Sequence, residues 1–264
     1  MSDATHEGTP AMAPGAANGS TRGRLARYAL FQARDYVWER GLPLLVIGAL
    51  LILMSFQDAG GPPSRVAGTG ATAARAMALA AALLELFAPT AVLVGVNGII
   101  SSDRKHHYYR LLFSKPVSTS RYYAQAFLVS LAGTLLATLL VLAAFALCFG
   151  SVPVARALLF VLLYFVLFGG VGFLLSAITS YDWIALGVVW SLAWLLRAFF
   201  PPGESWYGRV LDIFLPPLHL LAGAAAPLLG GVSIGLSASA WIVGYGAAAV
   251  AIALLVVRYR PMAS

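Results

Sequence analysis

Long uncharged apolar runs alternate along this chain with short polar connections. A helix needs roughly 20 mostly apolar residues to cross the hydrocarbon core of a bilayer. The first run is short but can be extended backwards through Tyr36, Val37 and Trp38, and Pro89 is expected to kink the second. The pattern predicts an all-α polytopic membrane protein with six transmembrane helices, at about residues 41–57, 76–100, 123–149, 157–179, 183–200 and 238–257.

The segments outside these runs have distinct compositions. Residues 1–20 are rich in Ala, Gly, Pro, Ser and Thr without periodicity, which predicts a disordered tail. Residues 21–40 carry five Arg among Leu, Tyr, Phe and Trp, which predicts an amphipathic helix in the membrane interface. Residues 41–260 then form the six-span domain. Within it, the apolar segment 213–237 is broken by Pro and Gly and predicts short interfacial or re-entrant helices on the extracytoplasmic side.

The basic residues predict an orientation. The chain has 17 Lys and Arg against 10 Asp and Glu, for a net charge of +7. Twelve of the basic residues fall on the same side as the N-terminus and five on the opposite side. Because cytoplasmic loops carry the Lys/Arg excess, both termini are expected in the cytoplasm. The charge is explained by this bias and by contact with membrane lipids, without a nucleic acid, and the Ala/Gly/Arg-rich composition favours a bacterial cytoplasmic membrane.

The connection between the second and third predicted spans is the most charged and aromatic part of the chain, residues 101–123. On a helix over 103–113, spacings of three, four and seven place its polar residues on one face, and Tyr108, Leu111 and Leu112 on the opposite face. The helix is expected to end before Pro116. A solvated face without a partner is the simpler interpretation, but the aromatic opposite face favours a docking helix. The polar residues of this stripe are Asp103, His106, His107 and Arg110.

The same region carries a resemblance. The run GIISSDRKHHYYRLLFSKPVSTSRYYAQAF, residues 98–127, resembles the cytoplasmic coupling region of ABC-transporter permeases of the type-2 exporter class. Asp103 takes the acidic place, Arg104 and Lys105 the basic one, and residues 111–112 the Leu pair, followed by a Ser/Pro turn. The chain departs from the family at His106-His107, where many members have Gly-Thr, and at residues 124–126, where a Gly-Lys pair is frequent.

This resemblance implies a transport subunit and a set of partners. Two permease chains, identical or different, would work with ABC-type ATPase subunits encoded separately. The sequence has no GxxxxGK[ST] phosphate-binding motif, so we expect neither an enzyme nor a cofactor site in this chain. The alternative is a non-transporting structural or assembly subunit of a larger membrane complex. The residues expected to face the ATPase are Asp103, Arg104, His106, His107 and Arg110.

Other candidate chemistry is weak except at one carboxyl group. Residues 231–235 match GxSxG, but no His follows Ser233, so a nucleophile elbow is not expected. Adjacent His106 and His107 diverge on a helix, so no metal site is predicted. Glu85 lies inside a predicted span, with Arg197 as a candidate partner near the outer end of another. Such a residue marks a candidate substrate path or polar site, or forms a structural bond to a neighbouring span.

Overall fold

The computed structural model describes residues 21–58, 70–101, 103, 118–179, 182–200 and 206–259. Every element within these residues is helical, so the predicted all-α class is confirmed for the described part of the chain. The predicted tail, residues 1–20, lies outside it. In chain order the elements are α1 (Thr21–Tyr36), a π-helical turn (Val37–Gly41), α2 (Leu42–Asp58), α3 (Gly70–Val96), α4 (Thr119–Phe149), α5 (Val154–Tyr164), a second π-helical turn (Phe165–Gly169), α6 (Gly170–Ile178), α7 (Asp182–Phe199), α8 (Trp206–Phe214), a 3-10 turn (Leu218–Leu220), α9 (Ala225–Gly230) and α10 (Leu236–Tyr259).

Within the described residues, five helical stretches are long and apolar enough to cross a membrane. They indicate a multi-pass membrane protein. The apolar part of α7, Ile184–Phe199, is shorter than the other five, so the predicted fifth span at 183–200 stays a prediction. The five stretches are Tyr28–Gln57, Ala73–Val96, Thr119–Phe149, Val154–Ile178 and Leu236–Tyr259.

Several boundaries differ from the sequence-based expectation, and two of these differences have a clear structural cause. α3 ends at Val96 instead of residue 100, because Gly98 adopts a φ of 75°, a left-handed conformation that commonly ends helices at glycine. The first apolar stretch begins at Tyr28 instead of residue 41, because α1 continues into α2 through the π-helical turn. The predicted interfacial helix, residues 21–40, therefore overlaps the first candidate span.

The continuous helix α1–α2 lies parallel to α4 along its length. Near its start the rings of Tyr28 and Tyr122 are 6.2 Å apart, and near its end Phe56 lies 4.7 Å from Phe149. Between them Tyr36 fits over Gly133, where an added Cβ would overlap the tyrosine ring. We call these helices the first pair, and the end that holds Tyr28 and Tyr122 the tyrosine end.

The helices of the first pair are longer than the hydrocarbon core of a bilayer is thick. Its apolar stretches have 30 and 31 residues, or about 45 Å of helix at 1.5 Å per residue, against about 30 Å of hydrocarbon. Large exposed apolar side chains on α4 run from Leu128 to Leu147, which covers about 29 Å. The helices of the first pair are therefore long enough to extend beyond the hydrocarbon.

A second pair is formed by α5–α6 and α10, which approach each other at glycines. An added Cβ on Gly170 would lie 2.6 Å from the Gly246 carbonyl oxygen, and one on Gly246 would overlap the Val166 carbonyl. The second π-helical turn ends beside this crossing. Small residues at such a crossing let two backbones approach closely, as in other membrane helix pairs. α3 packs against both pairs, and its inner face is buried at residues such as Leu84 and Phe87.

The glycine crossing generates a stability prediction. Gly246→Ala should lower the thermal stability of the detergent-solubilised protein, because a methyl group cannot fit against Val166 and overpacking costs about 1–3 kcal/mol. The readout is the temperature at which half of the protein is lost from the monodisperse chromatography peak. Gly244→Ala on the same helix is the matched control, because its added Cβ meets open space. Equal midpoints for the two variants would contradict the close crossing.

Candidate functional site

Three clusters in the described residues join polar side chains to backbone groups of other helices. Backbone groups at a helix end lack partners within the helix, and a bilayer offers no water to replace them. The clusters lie where α3 ends, where the chain leaves α3 towards α4, and around the short helix α9. In each cluster, side chains form hydrogen bonds with backbone N–H or C=O groups that have no partner within their own helix.

The first cluster closes the end of α3. The Gly95 carbonyl lies in the last turn of that helix, where carbonyls have no intrahelical donor. Arg40 Nη1 donates to it at 2.9 Å, and the hydroxyl of Ser130 also donates to it. The positive guanidinium is well placed at a helix C-terminus, where the helix dipole is negative. The nearby Tyr36 hydroxyl shares a hydrogen bond of 2.9 Å with Thr134 Oγ1, so this cluster also ties the first pair together.

The second cluster, which we call the loop anchor, holds the chain where it leaves α3. The buried Ser176 hydroxyl oxygen, on α6, accepts the backbone N–H groups of Ile100 at 3.1 Å and Ser101 at 3.2 Å. Two residues later, Asp103 Oδ2 accepts the hydroxyl of the buried Tyr123, on α4, at 3.2 Å. The loop anchor therefore connects the start of the α3–α4 loop to both helix pairs.

The loop anchor contains one residue of the predicted ATPase interface. One carboxylate oxygen of Asp103 is bonded to α4, which positions the start of the loop, and the contact of Asp103 with an ATPase stays a prediction. The other residues of the predicted interface lie outside the described part of the chain, and their role stays a prediction. They are Arg104, His106, His107 and Arg110.

The third cluster, which we call the α9 clamp, holds both ends of a six-residue helix. The Ala225 N–H, in the first turn of α9, donates to Glu85 Oε1 at 3.0 Å. At the other end, Arg156 Nη1 donates to the Leu229 carbonyl at 2.9 Å. A carboxylate at the N-terminus and a guanidinium at the C-terminus both complement the helix dipole. We call the end of the bundle that holds Arg156 the Arg156 end.

The α9 clamp places the broken segment inside the bundle. Glu85 lies in the middle of the stretch Ala73–Val96, so Ala225 lies at the depth of the middle of α3. Ala225 and Leu229 are buried there. The bond to Ala225 favours the structural role of Glu85 that the sequence left open. Arg197 lies in the last turn of α7, and its part in a substrate path stays a prediction.

Sequence reasoning missed most of these side chains because each looks ordinary in its own segment. Ser130, Thr134 and Ser176 are small polar residues within apolar runs, which also occur without any partner on another helix. Arg156 was counted only as a charge at a span end. Among the described residues, no group of three or more His, Cys, Asp and Glu is placed to hold a metal ion.

Comparisons with known proteins identify no relative. A scan against protein-family models, a search of curated proteins and a search of solved structures each find no match.

The α9 clamp generates a prediction that separates the role of Glu85 as a hydrogen-bond acceptor from the role of its negative charge. Glu85→Ala should speed amide hydrogen exchange of α9 in the purified protein, because the Ala225 N–H loses its acceptor. Glu85→Gln should stay close to wild type, since its side-chain carbonyl can still accept. Exchange is followed by mass spectrometry on the peptide covering residues 218–231. Unchanged exchange in Glu85→Ala would show that the carboxylate does not hold α9.

Proposed function

We propose that this chain is the membrane-spanning permease subunit of an ATP-driven exporter. It would move its substrate across a bacterial cytoplasmic membrane with energy from a separate ATPase subunit. The observation that carries the proposal is the loop anchor. A partner can move membrane helices through a loop only if the loop is firmly attached to them, and here the loop start is bonded to α4 and α6.

The path of the chain supports six crossings. α5 and α6 run from the Arg156 end to the loop anchor, where Ser176 lies. The Arg156–Leu229 hydrogen bond then brings the end of α9 back beside the start of α5. The chain must therefore return between these points, and the 18 residues of α7 supply about 27 Å of helix for it. With α7 as a crossing, six spans place both ends of the bundle domain on one side.

The charge distribution supports a cytoplasmic tyrosine end. The first pair is longer than the hydrocarbon is thick, and in this proposal it extends beyond the hydrocarbon there, as a stalk beside the loop anchor. Basic residues follow Asp103 in the sequence, and the positive-inside bias favours the cytoplasm for a loop of that composition. An ATPase in the cytoplasm would meet the stalk and the loop together.

The outward-facing side chains support contact with lipid and with a second permease chain. Exposed apolar residues on α2 and α7 include Leu50, Leu53, Val188 and Leu195. Such faces suit a bilayer, and a permease dimer would cover part of one of them. In this proposal α9 lies between the spans, with Ala225, Leu228 and Leu229 buried, and it runs from the depth of Glu85 to the Arg156 end. The exported substrate must pass beside it.

The test of this function is co-purification of an ATPase. The tagged chain, solubilised from its native membranes in mild detergent, should bring down a protein with vanadate-sensitive ATP hydrolysis. Arg110→Glu should reduce the recovered ATPase several-fold, because it reverses a charge in the predicted contact stripe. Membrane insertion should be unchanged.

The matched control is Arg258→Glu, which makes the same charge change at an exposed position in the last turn of α10. It should recover the ATPase at wild-type yield. If the wild-type chain brings down no ATPase, the permease proposal is contradicted and the structural or assembly subunit is favoured. Equal recovery with Arg110→Glu and wild type would contradict the contact stripe alone.

A further inference from the structure

Ser176 accepts hydrogen bonds from backbone N–H groups that belong to another part of the chain. It lies near the end of α6, yet its hydroxyl oxygen accepts N–H groups from Ile100 and Ser101, which follow α3 in the chain. Ser101 and Asp103 have helical backbone, so these N–H groups belong to the start of a new helical turn. Serine commonly accepts such groups when it caps its own helix. Here the same chemistry acts between helices.

The turn is attached to the rest of the protein at two places. Tyr123, the second attachment, comes from α4 and bonds Asp103 through its hydroxyl. Since α4 belongs to the first pair and α6 to the second, the turn bridges both. Ile100, Tyr123 and Ser176 are fully buried, so water cannot replace the attachment at Ser176, while the attachment at Asp103 is partly buried.

We propose that Ser176 and Tyr123 are the positioning residues that transmit movement of the α3–α4 loop to the two helix pairs. Ser176 transmits the movement to α6, and the Gly170–Gly246 crossing transmits it from α6 to α10. Tyr123 passes the movement to α4, whose Tyr122 and Thr134 contact Tyr28 and Tyr36 of α1–α2. The inference rests on the proposed function, because it names the residues through which the ATPase would act.

The first arm of the test needs no ATPase. Ser176→Ala removes the acceptor of two amides, so the peptide covering residues 97–103 should exchange its amide hydrogens about tenfold faster than wild type, as expected for one ordinary hydrogen bond. Ser55→Ala is the matched control. Ser55 is also buried, but its hydroxyl bonds the Leu51 carbonyl of its own helix. Unchanged exchange in Ser176→Ala would overturn the assignment of Ser176.

The second arm measures transmission across the bundle. The complex with its ATPase is trapped with ATP and vanadate, and exchange is followed at α9, at the Arg156 end. Trapping should change exchange of α9 in wild type and in Ser55→Ala, and the change should fall several-fold in Ser176→Ala. The amount of ATPase recovered should stay at the wild-type level, because Ser176 is buried away from a partner surface. Tyr123→Phe, which keeps the ring and removes only the hydroxyl, should give the same loss.

The outcomes separate this inference from the proposed function. A full response of α9 in both Ser176→Ala and Tyr123→Phe would overturn the transmission role while leaving the permease proposal in place. Absence of any ATPase from the wild-type preparation would contradict the proposed function and the transmission role with it. In that case the first arm still decides whether Ser176 holds the turn. If Ser176→Ala does not fold, Tyr123→Phe decides the second arm.

Discussion

The need to satisfy backbone polar groups inside a bilayer explains how this bundle is held together. At the end of α3, in the turn that follows it and at both ends of α9, a side chain from another helix or helical turn supplies the missing partner. Arg40 and Ser130 satisfy the Gly95 carbonyl, and Ser176 satisfies the amides that follow it. Glu85 and Arg156 do the same for the two ends of α9. Without water as an alternative partner, losing one of these contacts leaves a buried group unpaired, so each break in a helix fixes the position of its neighbours.

These contacts divide the described bundle into two helix pairs, and α3 packs against both. The helices of the first pair are longer than the hydrocarbon is thick, while the second pair is joined by a glycine crossing. The two pairs also pack directly on each other, where Phe127 on α4 lies 5.1 Å from Phe173 on α6. The α3–α4 loop begins where the two pairs meet, and α9 ends at the opposite end of the bundle. A loop bonded to both pairs suits a protein that is driven from one side and opens on the other. This is the physical basis for proposing a permease moved by an ATPase.

Most of the architecture could be predicted from hydrophobic patterning, because long apolar runs have few alternatives to helices in a membrane. The all-α class follows from that patterning alone. The exact end of a helix could not be predicted in this way, as Gly98 shows. Its left-handed conformation ends α3, although Asn97 and Gly98 interrupt the apolar run only briefly before Ile99 and Ile100. The clusters were harder to predict, because their hydrogen bonds join residues that are far apart in the sequence, such as Ser176 and Ile100 or Glu85 and Ala225. A sequence read along one helix shows a polar residue but not the backbone group on another helix that needs it. Glu85 was noticed because a carboxyl in a span is costly, whereas a serine is not.

The proposed function requires that the loop anchor and the segment that follows α9 lie on opposite sides of the membrane. Single cysteines at two exposed positions, Ser118→Cys beside the loop and Ser233→Cys after α9, test this in a Cys148→Ala background. Both variants are treated with a membrane-impermeant maleimide in intact spheroplasts and in opened membranes. We expect Ser233→Cys to react in intact spheroplasts and Ser118→Cys to react only once the membranes are opened. Labelling of Ser118→Cys from outside, or of both residues from the same side, would contradict a permease driven from the cytoplasm.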